Sequence, residues 1–107
     1  MYDDPNRYRV SYAQTALKSL SKLFNINHDD VFIRSQTLLS INPYDQADGV
    51  VDYLDYKYNG LLWKIVGNVI LIYSISEKNK LVFIRACYFA NTKESHQTFW
   101  GIEPDDE

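Results

Sequence analysis

The spacing of apolar residues changes from one period to another near residue 12. Apolar and aromatic residues first alternate with polar ones at Tyr8, Val10 and Tyr12. A period of two indicates a half-buried strand. The apolar residues that follow recur at helical spacing, at Ala13, Ala16, Leu17, Leu20, Leu23 and Phe24. The pattern therefore predicts a strand and then an amphipathic helix that ends near Asn25.

A second helix is predicted from about Val31 to Ile41. Asp29 or Asp30 can cap it, because a short carboxylate accepts hydrogen bonds from the free amides of a first helical turn. Pro43 is expected to end the helix, because proline disfavours helical geometry in the residue before it. Residues 44–49 are predicted to form a loop. The inner side of the helix is expected to carry Val31, Phe32, Ser35, Leu38 and Leu39.

The second half of the chain alternates between apolar segments and turn residues. Asn59-Gly60 favours a tight hairpin, because both residues tolerate positive φ. Gly67-Asn68 and the polar segment 77–80 predict two further turns. The strands between these turns are predicted at 52–58, 61–66, 69–76 and 81–89. The segment 69–76 is almost wholly apolar, so we expect it to be a central strand buried on both faces.

The predicted order is a strand, two helices, an antiparallel β-meander and a short C-terminal helix from Thr92 to Trp100. Helices segregated from an antiparallel sheet define an α+β fold. We expect the two helices to cover one face of the sheet and the other face to stay partly open. At 107 residues the chain is expected to form a single domain, 1–107, with a frayed acidic end at about 103–107.

The composition favours a folded protein that is not a general nucleic-acid binder. Hydrophobic residues make up 46% of the chain, enough for a buried core. The net charge of -3 argues against direct DNA binding by the chain alone, because phosphate neutralisation supplies much of such affinity. The longest apolar run, Val69 to Tyr73, is too short to cross a bilayer, so no membrane partner is expected.

Three further groups of residues are candidate sites. Cys87 is the only cysteine, which fits a cytoplasmic location, and it falls on an apolar strand where a small hydrophobe is the usual role. The carboxylates of Asp48, Asp52 and Asp55 can either hold a cation or form a solvated strand edge, and the edge is favoured. We expect no metal and no other cofactor. The tyrosines at 53, 56 and 58 can serve an interface or cross-strand packing.

Three motifs occur in an informative order. The segment Tyr8 to Tyr12 precedes the first helix, Leu39-Ser40-Ile41-Asn42-Pro43 ends the second, and Gly60-Leu61-Leu62-Trp63-Lys64-Ile65-Val66-Gly67-Asn68 precedes Tyr73. This order, over residues 7 to 90, resembles the RelE/ParE superfamily of bacterial type II toxins. The resemblance implies a growth-inhibiting toxin that a cognate antitoxin neutralises by laying an amphipathic helix or an extended segment along it.

Members that resemble RelE cut messenger RNA on the ribosome without a metal ion. The ribose 2′-hydroxyl attacks the adjacent phosphate, which needs a base, an acid and positive charge on the phosphate. By the resemblance, one of the family's arginines falls at Ile70 and another near Ala90 or Thr92, none of which is basic. The candidate catalytic residues that remain are Lys57, Lys64, Arg85 and His96, and for each of them a solvated surface position is the favoured explanation.

Members that resemble ParE lack the nuclease residues and inhibit DNA gyrase by protein contact. The missing arginines and the acidic balance favour this mechanism for the present chain. Ribosome-dependent cleavage of mRNA is the alternative, and a non-toxic interaction module is a further one. The resemblance therefore leaves the target open between DNA gyrase and the ribosome with its mRNA, and leaves open whether the chain is an enzyme.

Overall fold

The computed structural model describes residues 7–23, 26–52 and 55–90. The elements in these ranges are β1 (Arg9–Tyr12), α1 (Gln14–Lys22), α2 (His28–Ile41), α3 (Pro43–Gln46), β2 (Gly49–Val50), β3 (Leu62–Val66), β4 (Val69–Ser76) and β5 (Leu81–Phe89). The strands form one sheet in the order β1-β5-β4-β3-β2. β1 runs parallel to β5 and the other neighbours are antiparallel, which confirms the predicted α+β class. The predicted C-terminal helix lies outside the described residues.

The first strand and helix agree with the hydrophobic periods. β1 alternates between exposed and half-buried residues, as a strand with one covered face does. α1 ends at Lys22, three residues before the predicted end, and it buries Ala16 and Leu20. The backbone amide of Leu23 donates to the carbonyl of Leu20 at 3.1 Å and closes the last turn.

The second helix begins three residues earlier than predicted. Its cap is Asn27 rather than either aspartate, because the Asn27 side chain accepts from the amide of Asp30 at 2.9 Å. Asp29 and Asp30 lie inside the first turn, where negative charge favours the helix dipole. Val31, Ser35 and Leu39 are buried as predicted and Leu38 is half-buried, but Phe32 is 41% exposed.

Pro43 ends α2 as predicted, and it also begins α3. Proline fits the first turn of a helix because its missing N–H would have no partner there. The segment predicted as a loop is therefore helical as far as Gln46. The carbonyl of Pro43 accepts a hydrogen bond of 2.6 Å from the buried hydroxyl of Tyr73, which fixes α3 to the centre of the sheet.

The predicted strand at 52–58 is wrong. The strand that pairs with β3 is β2, and it has only two residues, Gly49 and Val50. The described residues after it form a turn-rich loop in which Asp55 has a φ of 67°. Tyr56 and Tyr58 of this loop lie against the sheet instead of extending it. Burial of their rings against neighbouring side chains outweighs the strand propensity of the segment.

The remaining three strands form the predicted meander. Gly67 begins the two-residue turn between β3 and β4 with a φ of 62°, a conformation that glycine adopts without strain. β4 lies between β3 and β5, and Val69 to Tyr73 are all buried, as predicted for a strand covered on both faces. The turn at 77–80 also agrees with the prediction.

The sheet has a helix face and a second face. The core of the helix face consists of Ala16, Leu20, Val31, Leu39, Val66, Val69, Leu71, Tyr73, Val82, Ile84 and Cys87. The core of the second face consists of Val51, Trp63, Ile70, Ile72, Ala86 and Ala90, packed against Tyr56, Tyr58, Leu61, Ile65 and Tyr88. The second face, predicted to be partly open, is therefore covered at one end by the loop after β2.

A bulge in β5 changes the direction of its side chains. Tyr73 pairs with Ile84 and Ile72 pairs with Ala86, so Arg85 is the extra residue. Ile84 belongs to the helix face and Ala86 to the second face. The bulge thus places Arg85 at the border between the covered and the open end of the second face. None of the helices described for this chain is long and apolar enough to cross a bilayer.

Candidate functional site

The centre of the second face is apolar. Ile70, where the sequence resemblance leads us to expect an arginine in a nuclease, is buried beside Ile72 and Trp63. Tyr56 and Tyr88 pack against this apolar core and form an aromatic cover over it. Their hydroxyls lie 2.5 Å apart and hydrogen-bond to each other. A phosphate could reach Ile70 only if this cover moved, and it would then meet an aliphatic side chain with no hydrogen-bond donor.

Lys64 is on the helix face of the sheet. Ile65 pairs directly with Ile70, and successive side chains of a strand point to opposite faces, so Lys64 points away from Ile70. Its Nζ lies 3.8 Å from Oδ1 of Asp48, and its side chain is 14% exposed. Asp48 also accepts from the backbone amide of Ile65 at 2.7 Å. Lys64 therefore belongs to an ion pair that supports the β2–β3 end of the sheet.

Lys57 and Arg85 lie at the margin of the second face and are linked through Tyr58. The Nζ of Lys57 is 5.0 Å from the centre of the Tyr58 ring. The Tyr58 hydroxyl donates to the carbonyl of Arg85 at 3.5 Å, the long limit of a hydrogen bond. The Arg85 Nε donates to Oγ of Ser74 at 3.3 Å, and its guanidinium lies 4.7 Å from the Phe83 ring centre. His96 lies outside the described residues.

The candidate catalytic residues therefore do not meet at one point. Lys57 and Arg85 share one margin, whereas Lys64 is on the other side of the sheet. Positive charge stabilises a reacting phosphate only where the donors converge on the same oxygens. In the described part of the chain Lys57 and Arg85 both contact Tyr58, Arg85 through its backbone carbonyl, and Lys64 is separated from both.

The other candidate chemistries have little structural basis. Cys87 is buried, and burial raises the pKa of its thiol to about 12, so the thiol stays protonated at neutral pH. Among residues 7–23, 26–52 and 55–90, no cluster of three or more histidine, cysteine or acidic side chains is placed to hold a metal ion.

A polar cluster that the sequence did not reveal joins three elements. Tyr8 and Tyr44 both donate to Oε2 of Glu77, Tyr44 at 2.6 Å, and Lys80 donates to Oε1 at 2.9 Å. These hydrogen bonds, that of Tyr44 first, lower the pKa of Glu77 to about 2. The cluster connects the start of β1, α3 and the turn between β4 and β5. Tyr8 and Tyr44 are far from Glu77 in sequence, so no local pattern could have predicted their contacts with it.

The helical layer carries a second surface feature, an apolar groove between α1 and α2. The groove has a volume of about 290 Å³ and is lined by Leu17, Leu20, Ser21, His28, Asp29 and Phe32. Phe32 stacks on Tyr12 with 5.3 Å between ring centres, which holds its ring at the edge of the groove. Ile33 and Ile41, further along α2, are 62% and 65% exposed.

Comparison with known proteins supports the fold. No protein-family model matches the chain, and no curated protein matches it in sequence. The toxin–antitoxin complex RelBE2 from Mycobacterium tuberculosis matches in structure with a TM-score of 0.64 and 23% identity, over 82% of this chain and 97% of that chain. The RelE–RelB complex from the archaeon Pyrococcus horikoshii matches with a TM-score of 0.56 and 23% identity, over 79% and 97%.

A mutant of the Escherichia coli toxin RelE in the free state matches with a TM-score of 0.55 and 12% identity, over 89% of this chain and 96% of that chain. The described chain therefore has the fold of the RelE/ParE-like toxins. The family resemblance that the sequence motifs indicated is confirmed at the level of the fold.

Proposed function

We propose that the chain is the toxin of a type II toxin–antitoxin pair, that it is neutralised in the cytoplasm by a cognate antitoxin, and that it inhibits growth by contact with a protein target. DNA gyrase is the first candidate target, by analogy with ParE-like members. Two of the structures that share the fold are complexes of toxin with antitoxin, which supports a partner of this kind.

One observation carries the choice of mechanism. Ile70 is buried under an aromatic cover at the position where a nuclease needs a cation, and Lys64 points to the opposite face. Cleavage by a ribose 2′-hydroxyl needs concentrated positive charge around one phosphate. The described side chains do not supply it, whereas inhibition by protein contact requires no catalytic residues.

The helical layer supports an antitoxin surface. The groove between α1 and α2 and the exposed Ile33 and Ile41 provide apolar anchor sites of the kind that receive an amphipathic helix. Ile33→Asp and Ile41→Asp should weaken neutralisation without changing growth arrest. Thr15→Asp, which adds the same charge at an exposed position of α1, is the matched control and should leave neutralisation unchanged.

Induced expression tests the proposal. Growth should stop on induction and resume when the product of an adjacent short reading frame is expressed with the chain. The purified chain should inhibit supercoiling of relaxed plasmid by DNA gyrase. Expression without growth arrest would contradict the toxin assignment and favour a non-toxic interaction module. Arrest with unaffected gyrase would contradict that target alone.

Ribosome-dependent cleavage of mRNA is the second candidate. The observation that favours it is that Lys57 and Arg85 both contact Tyr58, Lys57 through its ammonium group and Arg85 through its backbone carbonyl. Lysine can hold a phosphate as a point charge. If this mechanism operates, Lys57→Ala and Arg85→Ala should abolish toxicity together, and purified gyrase should be unaffected.

A further inference from the structure

The outer side of α2 carries a row of residues that the core does not use. We call it the α2 stripe, and it consists of Ile33, Thr37 and Ile41, all of them exposed. Helix residues that are four apart lie one above the next, so the three side chains form a single row about 12 Å long. Val31 and Leu39, on the opposite side of α2, are the residues that attach the helix to the core. The stripe is therefore free to contact another surface.

Thr37 is the one polar member of the stripe, and its hydroxyl is already bonded within the helix. The Thr37 hydroxyl donates to the backbone carbonyl of Ile33 at 3.2 Å. Covering a hydroxyl that keeps its hydrogen bond avoids the cost of an unsatisfied buried polar group. The methyl group of Thr37 then continues the apolar row between the two isoleucines. The stripe can therefore lose its water without leaving the Thr37 hydroxyl unpaired.

The order of residues makes the stripe its own complement. Thr37 lies midway between Ile33 and Ile41, four residues from each. When a second α2 lies antiparallel to the first with a two-fold axis at Thr37, Ile33 of each copy meets Ile41 of the other. The two threonines meet at the axis, where their small side chains allow the helices to approach closely. A single exposed isoleucine is ordinary on a soluble protein, but two placed symmetrically about a small residue fit a two-fold contact.

The charges beside the stripe permit a second copy. Asp30 and Arg34 lie on the same side of α2 and form an ion pair of 3.5 Å. This pair has no net charge, so two stripes meet without a local excess of one sign, although each chain carries a net charge of -3. Charge elsewhere on the surface is screened beyond about 8 Å at physiological salt. The two copies of Arg34 are offset by about 9 Å along the helices, because each lies three residues from the axis.

We propose that the free chain forms a weak two-fold dimer through the α2 stripe. The contact covers little more than two turns of each helix, which is less than the roughly 1,200–2,000 Å² that stable interfaces bury. A dissociation constant on the order of 100 μM is therefore expected. The antitoxin of the proposed function is assigned to the same helical layer, so the second copy occupies the stripe only in the free chain. That exclusion rests on the proposed function, whereas the dimer does not.

Sedimentation of the full-length chain, made by cell-free synthesis, tests the self-association. The weight-average mass should rise from 12.5 kDa towards twice that value as the concentration increases from about 5 to about 500 μM. Ile33→Asp and Ile41→Asp should each raise the dissociation constant at least about tenfold, because each buries an unpaired carboxylate in the contact. Thr15→Asp adds the same charge at an exposed position of α1 and should leave it unchanged.

The two aspartate variants are independent tests, since both positions are exposed and circular dichroism checks the folding of each. A mass that stays at 12.5 kDa over the whole concentration range would overturn the proposal. A mass that rises equally in the parent and in a folded aspartate variant would overturn it as well, because the chain would then associate through another surface.

Cysteine cross-linking tests the position of the two-fold axis. Cys87, the only native cysteine, is buried, so an introduced cysteine is the accessible thiol. Helices packed face to face bring the two Cα atoms at Thr37 to about 5 Å, which a disulfide can span. Thr37→Cys should therefore form a disulfide-linked dimer at least about tenfold faster than Asp30→Cys, whose two copies are about 21 Å apart along the helices. Equal rates would contradict the antiparallel contact.

Failure of the dimer and failure of the proposed function give different results. If the chain arrests growth but stays a monomer in sedimentation, the dimer proposal is wrong and the function stands. If expression causes no arrest but Thr37→Cys cross-links selectively, the dimer stands and the toxin assignment is wrong.

Discussion

Lys64 and Ile70 lie on the two strands of one hairpin and present their side chains to opposite faces of the sheet. The direct pairing of Ile65 with Ile70 fixes this relationship. Lys64 makes an ion pair with Asp48 on the helix face, and Ile70 is buried in the core of the second face. The basic residue that remains beside the Val-Gly turn therefore cannot serve a reaction at the position of Ile70.

The first prediction concerns the second face itself. Ile70→Arg should lower the free energy of unfolding by at least about 3 kcal/mol, because it buries an unpaired cation beneath Tyr56 and Tyr88. Ile70→Val, the control, should cost only about 1 kcal/mol. Urea unfolding followed by circular dichroism measures both. A stable Ile70→Arg protein would show that the aromatic cover opens readily.

The second prediction concerns the attachment of α3. Tyr73→Phe removes the donor to the Pro43 carbonyl in a buried position, and it should cost about 1–3 kcal/mol in the free energy of unfolding. Tyr58→Phe is the matched control, because its hydroxyl contact of 3.5 Å is marginal, and it should cost less than about 0.5 kcal/mol. Equal effects of the two substitutions in urea would be inconsistent with the hydrogen bond.

The third prediction concerns Gly49 in β2. A Cβ atom added there would lie 2.8–2.9 Å from the indole ring of Trp63, closer than packed atoms approach. Gly49→Ala should therefore displace the indole and cost about 1–3 kcal/mol. Val50→Ala, a change at the adjacent and largely exposed residue, is the control and should have little effect. A shift of indole fluorescence in the folded state measures the displacement, and its absence would contradict the close contact between Gly49 and Trp63.

The fourth prediction concerns pH. The pKa of Glu77 is lowered from 4.5 to about 2, so the favourable contribution of its carboxylate is present above pH 4.5 and is lost as the pH falls towards 2. Glu77→Gln should be less stable than the parent at pH 6, and the two melting temperatures should converge between pH 4.5 and 2. Tyr44→Phe removes the largest cause of the shift and should raise the pKa of Glu77, measured by NMR. A Glu77 pKa near 4.5 in the parent would rule the cluster out.

The elements that local pattern determines were predictable. The strand from Val69 to Ser76 follows from an uninterrupted apolar run, and the turn at Gly67 follows from the need for positive φ. The cap at Asn27 also has a sequence signal, since asparagine is as good a cap as aspartate and the two aspartates after it suit a first turn. The predicted helix therefore began too late.

The errors arose where tertiary contacts decide the structure. Tyr56 and Tyr58 alternate with polar residues, as the residues of a strand do. In the structure their rings pack against the core of the second face instead of belonging to a fourth strand of the meander. The Glu77 cluster depends on contacts between residues 33 and 69 positions apart. The sequence shows that Lys64 and Ile65, as neighbours on β3, point to opposite faces of the sheet. It does not show which of these faces the helices cover, so the face of Lys64 could not be predicted.

Messenger RNA from induced cells tests the central claim most directly. We predict that growth stops while the 5′ ends of transcripts, mapped by primer extension, stay the same as in uninduced cells. The Lys57→Ala, Lys64→Ala, Arg85→Ala triple variant should stop growth equally well. New 5′ ends within coding regions that appear on induction and disappear in the triple variant would show that the chain is a ribonuclease.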